Sequence, residues 1–225
     1  MKTYKNSMLF LLAILVITTS RCSYIETEFG FEGSISGIIK DNNNIPLYGD
    51  INSNNLIVRL LGENDKETID IRVNGDGTFQ NIKMYPKLHK AWVEGPIVFS
   101  DTVLIDFGEN LDQVHDFTIT PLTLPKILNG TANGTSVTVG YSISPAGANT
   151  VSKKEIYCST VKFPTASIGS MTNVYTTKTV TLAALSGNTQ ITGLVSGTKY
   201  YLRIGAQASA SKIMNYSNQI EITIP

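Results

Sequence analysis

The side chains able to do chemistry are few and scattered. Two of the 225 residues are histidines, His89 and His115, and two are cysteines, Cys22 and Cys158. Acid–base or metal chemistry needs such groups clustered, and the chain has no zinc-type Cys/His spacing, no serine nucleophile elbow and no Gly-rich phosphate loop. His115 alternates in step with Phe117 and Ile119, and His89 with Ala91 and Val93, so both read as packed histidines rather than bases. Carboxylates crowd the first half, and glycoside hydrolysis needs only two. Those in the turns Asp41 to Asn44, Glu63 to Asp65 and Glu109 to Asp112 read as solvated, and they lack the ordered spacing of a calcium loop. The expectation is a protein that is not an enzyme, with no catalytic residue, metal or cofactor.

Recognition is the chemistry that remains. In Lys90, Ala91, Trp92, Val93, Glu94 the small apolar residues alternate with the others. If Ala91 and Val93 face a core, Trp92, the sole tryptophan, faces the other way. Two readings stand. One is a ring covered by a neighbouring loop or by another domain, the usual fate of so large an apolar surface. The other is a platform on which a sugar ring stacks, with Tyr85, Lys90 and Glu94 bonding its hydroxyls.

The elements that must position these residues are strands. Hydrophobic residues make up 42% and charged residues 16%, a balance that excludes both a disordered polymer and a coiled coil. From Gly33 onward the apolar period is two. Leu56, Val58 and Leu60 share a face, as do Ile69, Ile71 and Val73, and Val103, Ile105 and Phe107. The second half alternates more cleanly at Val137 to Ile143, Tyr200 to Ala208 and Ile220 to Ile224. Strands with one apolar face each bury it against a second sheet, so the fold class is all-β, two tandem β-sandwiches. Gly75, Asp76 and Gly77 predict a hairpin between the strands on either side. Cys158 falls inside an alternating strand and reads as a small buried hydrophobe.

The stretch Pro121 to Pro125 predicts an extended, stiff join, giving one sandwich over 33–122 and another over 123–225. Charge separates the same halves. Residues 22–122 hold 16 acidic and 7 basic groups, whereas 123–225 hold 2 acidic and 8 basic. One reading is two solvated surfaces, and the other a dipolar module oriented against partners or a negatively charged glycan. After residue 21 the chain is net acidic, which argues against a nucleic-acid partner.

Residues 1–21 read as an export signal: Lys2 and Lys5, an apolar run from Met8 to Ile17, then Thr18, Thr19, Ser20 and Arg21. The run is too short for a membrane span, which takes about 20 residues. Cys22 directly after it resembles the bacterial lipobox, where the thiol receives diacylglycerol; otherwise it is an ordinary residue beyond a cleavage site. The lipobox reading implies lipidation at Cys22, effectively permanent membrane attachment, and a polar tether over 22–32. The acidic Glu26 and Glu28 resemble surface-export signals of Bacteroidetes lipoproteins.

Leu194, Val195, Ser196, Gly197, Thr198, Lys199 and Tyr200, followed by Leu202, Arg203 and Ala206, resemble the run into the sixth strand of fibronectin type III domains. The resemblance implies a fibronectin type III/Ig-like sandwich with Leu194 and Tyr200 as structural residues, Tyr200 forming a tyrosine corner. The family's second-strand tryptophan is absent, and Tyr141 stands near its place. The first half is similar to carboxypeptidase-regulatory-like domains, through Ile35 to Lys40, the Asn-rich turn to Pro46 and Leu47, the Leu56 to Leu60 strand, and Asp76, Gly77, Thr78, Phe79 and Ile82. Together, with the Gly95-Pro96 step, the chain resembles an uncharacterised two-domain Bacteroidetes lipoprotein family, a domain of unknown function from polysaccharide-utilisation loci. That resemblance implies an outer-membrane, surface-exposed location and an accessory part in glycan binding or uptake beside a transporter and glycan-binding lipoprotein pair. The alternative is a structural or adhesive spacer holding a protein partner. Asp101, Thr102 and Val103 also resemble a Bacteroidetes O-glycosylation site.

Overall fold

Period-two alternation becomes sixteen strands, with no helix among the described residues. The computed structural model describes residues 30–50, 53–166 and 177–225. The expected export signal, Cys22 and most of the tether lie outside them. In the first half, β1 (Gly33–Lys40), β4 (Thr78–Met84), β7 (Asp112–Val114) and β8 (Phe117–Thr118) form one sheet, with β1 in its middle. Opposite it, β3 (Ile69–Arg72), β2 (Ile57–Gly62), β5 (Leu88–Glu94) and β6 (Val103–Asp106) lie in that order, all antiparallel. Ile35, Ile39 and Phe79 from the first sheet meet Val58, Leu60, Ala91, Val93 and Ile105 from the second in one core. Each of these but Ala91, fully buried, stabilises the fold by roughly 1.5–3 kcal/mol.

The second half repeats the plan. One sheet is β13 (Ser186–Ile191), β10 (Ser136–Pro145) and β9 (Thr123–Asn133). The other is β12 (Thr177–Thr181), β11 (Val151–Ser159), β14 (Lys199–Ala208) and β15 (Met214–Tyr216), with β16 (Ile220–Thr223) also on β14. Val137, Val139, Tyr141 and Ile143 face Ile156, Cys158, Leu202 and Ile204 across the core. Tyr141 is buried there, its hydroxyl directed at the Ala184 carbonyl, 3.4 Å away. Cys158 is a fully buried free thiol, and burial pushes its pKa up to about 12. At the β14 entry, the Val195 N–H donates to the Tyr200 hydroxyl at 3.3 Å, and Gly197 supplies the positive φ of +73° that the tight turn needs.

The hairpin expected at Gly75 to Gly77 does not form. The turn bonds are there, with Asn74 N–H to Thr78 O at 2.8 Å and Gly77 N–H to Asn74 O at 3.0 Å. Yet β3 pairs with β2 and β4 with β1, so the chain crosses from one sheet to the other. Each strand buries its apolar face from the opposite side of one core, an arrangement local turn chemistry does not distinguish from a hairpin.

The expected join at Pro121 to Pro125 is largely absorbed into structure. Pro121 bridges to Ile97, and Pro125 lies inside β9, opposite Ile143. Thr123 is fully buried, its N–H donating to Asn215 Oδ1 at 3.1 Å and its hydroxyl to the Ala206 carbonyl at 3.0 Å. Residues Phe31–Pro225 form one compact unit. At the seam the segment after β1 lies on the outer face of β14 and β15, where Tyr48 bridges to Tyr216 and Asn55 Nδ2 donates to the Met214 carbonyl at 3.2 Å. Arg203 is fully buried there. Its Nε donates to Ser217 O and its Nη1 to Gly49 O, both at 3.0 Å. Its guanidinium lies 4.7 Å from the Tyr216 ring centre, 5.7 Å from Tyr48 and 6.0 Å from Phe163. Loss of water holds its pKa down to about 10, against the opposing pull of Asp50 and the tyrosines.

Candidate functional site

Strand β5 carries the candidate platform because it is central in its sheet and alternates strictly. His89, Ala91 and Val93 are buried on the inner face, leaving Lys90, Trp92 and Glu94 on the outer one. Register then sets the neighbours. Trp92 lies opposite Arg59 of β2, Glu94 opposite Ile57, and Lys90 between Leu61 of β2 and Leu104 of β6. Arg59 is opposite Asp70 of β3 on its other side.

These pairings build a fixed polar frame around a half-buried indole. Trp92 Nε1–H donates to Glu94 Oε1 at 2.9 Å, and Arg59 Nη1 reaches the same oxygen at 3.2 Å. Arg59 Nε lies 3.3 Å from Asp70 Oδ1. With its N–H committed to Glu94, the ring has one preferred orientation on the sheet. Among the described residues no cation or second aromatic ring stacks on it. An indole so held, mostly covered but still part-exposed, sets apolar surface beside charged hydrogen-bonding groups, a combination suited to the C–H groups and hydroxyls of a sugar.

Lys90 is exposed and makes no ion pair among the described residues. It borders a groove of about 340 Å³ together with Leu61, Glu63, Asn64, Asp65 and Leu104. Asp65 is held by Lys87 at 2.6 Å, which fixes the turn that forms one wall.

The structure brings three of the four predicted binding residues to this face and leaves the fourth elsewhere. Tyr85 precedes β5, its ring packed 4.3 Å from that of Phe31 with the Lys87 ammonium 5.6 Å from its centre. From Leu88 to Trp92 the strand already advances about 13 Å, at ~3.3 Å per residue, so Tyr85 belongs to the other end of the strand. Arg59 and Asp70 took its place, and sequence reasoning missed them. Arg59 was findable as the outward residue between Val58 and Leu60; its pairing with Trp92 required the β2–β5 register.

Both histidines pack against aromatic rings. His89 is fully buried, with Nδ1 2.9 Å from the Lys87 carbonyl and its ring edge-on to Phe107, and burial lowers its pKa. That favours a neutral imidazole with the proton on Nδ1; Nε2 has no partner among the described residues. His115 lies edge-on to Phe117 at 4.7 Å. No group of three or more His, Cys, Asp or Glu that could hold a metal occurs among the described residues.

No family model matches the sequence, and no curated protein does. Solved structures do match. A DUF3823 family protein from Bacteroides ovatus superimposes with a TM-score of 0.69 at 17% identity, over 86% of this chain and 100% of its own. Another, from Parabacteroides merdae, gives 0.68 at 14% identity, over 85% and 98%. A protein from Bacteroides uniformis, provisionally named a carbohydrate binding protein, gives 0.66 at 19% identity, over 87% and 100%. The chain therefore shares the all-β, tandem-sandwich fold of these Bacteroidetes proteins. At such identities the likeness is one of fold.

Proposed function

We propose that this chain is a non-enzymatic lipoprotein of the outer membrane that helps to capture glycan for uptake. The observation that carries the reading is the Trp92 platform, an indole locked by Glu94 and Arg59 on the outer face of β5, beside a groove bordered by Lys90. A fold shared with a protein provisionally named for carbohydrate binding supports it. In this reading Cys22 bears the lipid, the tether lets the sandwiches stand off the membrane, and a transporter with its glycan-binding lipoprotein receives what is captured. Mobility in affinity gels containing plant or host polysaccharides tests the platform. A retarded wild type and an unretarded, folded Trp92→Ala variant are expected; equal retardation of the two removes the platform. Radiolabelled palmitate should mark the wild type and not Cys22→Ala, and an unlabelled wild type would end the anchor.

The second reading, a spacer that scaffolds a protein partner, draws on the seam. Arg203 ties β14 to the segment after β1 through buried bonds, a construction suited to a fixed length. Co-purification of one membrane partner, unaffected by Trp92→Ala and with no glycan bound, would favour it.

A further inference from the structure

The seam holds a pair of hydrogen-bond donors with no partner among the described residues. Two cavities adjoin at Leu124, where the segment after β1 meets the start of β9. One, of about 240 Å³, is lined by Tyr48, Lys126, Leu128 and Asn218 among others. The second, of about 190 Å³, is lined by Asp41, Asn42, Thr120 and Ser144 among others. Leu124 lines both, and domain boundaries are favoured places for small-ligand sites.

The polar groups of the larger lobe divide clearly. Asn218 has both ends of its amide on Ile127, accepting its N–H at 3.0 Å and donating to its carbonyl at 3.3 Å. The Tyr48 hydroxyl and the Lys126 ammonium have no partner among the described residues, and no carboxylate lines that lobe. Behind Tyr48 lies the buried Arg203 guanidinium, 5.7 Å from the ring centre, and burial raises the pKa of the Tyr48 hydroxyl against the pull of that charge, so the hydroxyl stays protonated and able to donate. The smaller lobe ends in a fixed negative charge. Asp41 Oδ1 accepts the N–H groups of Asn43 and Ile45, each at 2.8 Å, so this carboxylate is held in place.

We infer that the seam groove binds a sugar carrying one carboxylate, a uronic acid, with the carboxylate at Lys126 and Tyr48 and neutral hydroxyls toward Asn42, Thr120 and Ser144. A cation and a protonated hydroxyl, with no counter-charge lining the lobe among the described residues, form the strong, charge-assisted kind of bond to such a group. Asp41 repels a second negative charge at the far end. The wider surroundings agree, since both acidic residues after position 122 are paired, Glu155 with Lys153 at 3.0 Å and Glu221 with Lys199. That the carboxylate is borne by a sugar rests on the glycan reading above.

Calorimetric titration of the mature chain with an aldobiouronic acid, a disaccharide with one carboxylate, tests this, with cellobiose as the neutral control. Saturable binding that weakens with added salt is expected, and Lys126→Gln and Tyr48→Phe should each weaken it by about tenfold or more, the scale of a bond to a charged group. Neither polar end has a partner among the described residues, and Tyr48→Phe keeps the ring beside Arg203, so both variants should melt as the wild type does. Absence of saturable binding, equal affinity for cellobiose, or affinity untouched by both variants would overturn the inference. Trp92→Ala separates the two sites. Uronate binding lost only in Trp92→Ala removes the seam site, whereas polysaccharide retardation insensitive to Trp92 with uronate binding intact removes the outer-face site alone.

Discussion

Two outer sheet faces in this molecule use the same ingredients to opposite ends. On β5 an arginine, an aromatic ring and carboxylates meet part-exposed on the outer face, as Arg59, Trp92, Glu94 and Asp70. On β14 and β15 they meet again as Arg203, Tyr216 and Asp50, but under the segment after β1, with Arg203 fully buried. The first arginine keeps about a third of its side chain exposed and remains solvated. The second has exchanged water for two carbonyls and three rings. Covering, more than composition, separates a recognition surface from a joint.

The comparison breaks first if the covered arginine is no more costly to lose than the open one. Removing a buried, hydrogen-bonded charge leaves its partners unsatisfied, so Arg203→Ala should destabilise by about 3–5 kcal/mol. Urea unfolding with an unchanged m-value checks it, and a loss below about 1 kcal/mol would mean that the seam is loosely made.

Gly205 sharpens the point from the other side of the same joint. A Cβ there would lie 2.8 Å from Met214 Sδ and 3.0 Å from the rings of Tyr157 and Tyr216, so the strand needs glycine for these three side chains to converge over it. Gly205→Val should cost about 1–3 kcal/mol through overpacking. An equal change at Gly134, which has open space around it, reports only the strain of its positive φ.

Much of this arrangement was legible as strands and much was not, for physical reasons. Period two marks which residues leave the core, so Val58, Ala91, Val93, Leu202 and Ile204 could be assigned inward and Trp92 outward from sequence alone. It says nothing of what lies beyond the outward side. Arg203 alternates just as Arg59 does, and only contacts with Gly49 and Tyr48, more than 150 residues away, make it a joint. The Gly75 to Gly77 turn misled for a related reason, because sheet membership is decided by partners far along the chain. Nearness in sequence places Tyr85 beside Trp92, and the rise of β5 separates them.

Alkaline pH offers a gentler probe of the covered side. Burial raises the Cys158 thiol from 9.0 to about 12, so the unfolded chain releases that proton first. Its contribution to stability is whole below pH 9 and is lost as the pH climbs toward 12. Tyr157 and Tyr216, also raised by burial, act in the same direction from pH 10 upward, while Arg203, lowered to about 10, opposes them above that value. Between pH 9 and 10 Cys158 acts nearly alone. The urea midpoint should fall across that unit in the wild type and stay flat in Cys158→Ala; equal slopes would mean that the thiol is not held neutral by burial.

The smallest effect on stability falls on the open face and says most about its use. Arg59 bridges Glu94 and Asp70 at 3.2 and 3.3 Å with all three side chains about a third to nearly half exposed. Such pairs contribute roughly 0–1 kcal/mol, further screened by salt. Arg59→Met should therefore leave the unfolding midpoint almost unmoved while freeing Glu94 and loosening the indole it holds through Nε1. If the face recognises a sugar by a preset ring, glycan retardation should drop by several-fold with no loss of stability, the reverse of what Arg203→Ala does. An Arg59→Met variant that is still folded but whose unfolding midpoint drops as far as that of Arg203→Ala, with retardation spared, would show the outer face of β5 to be another joint.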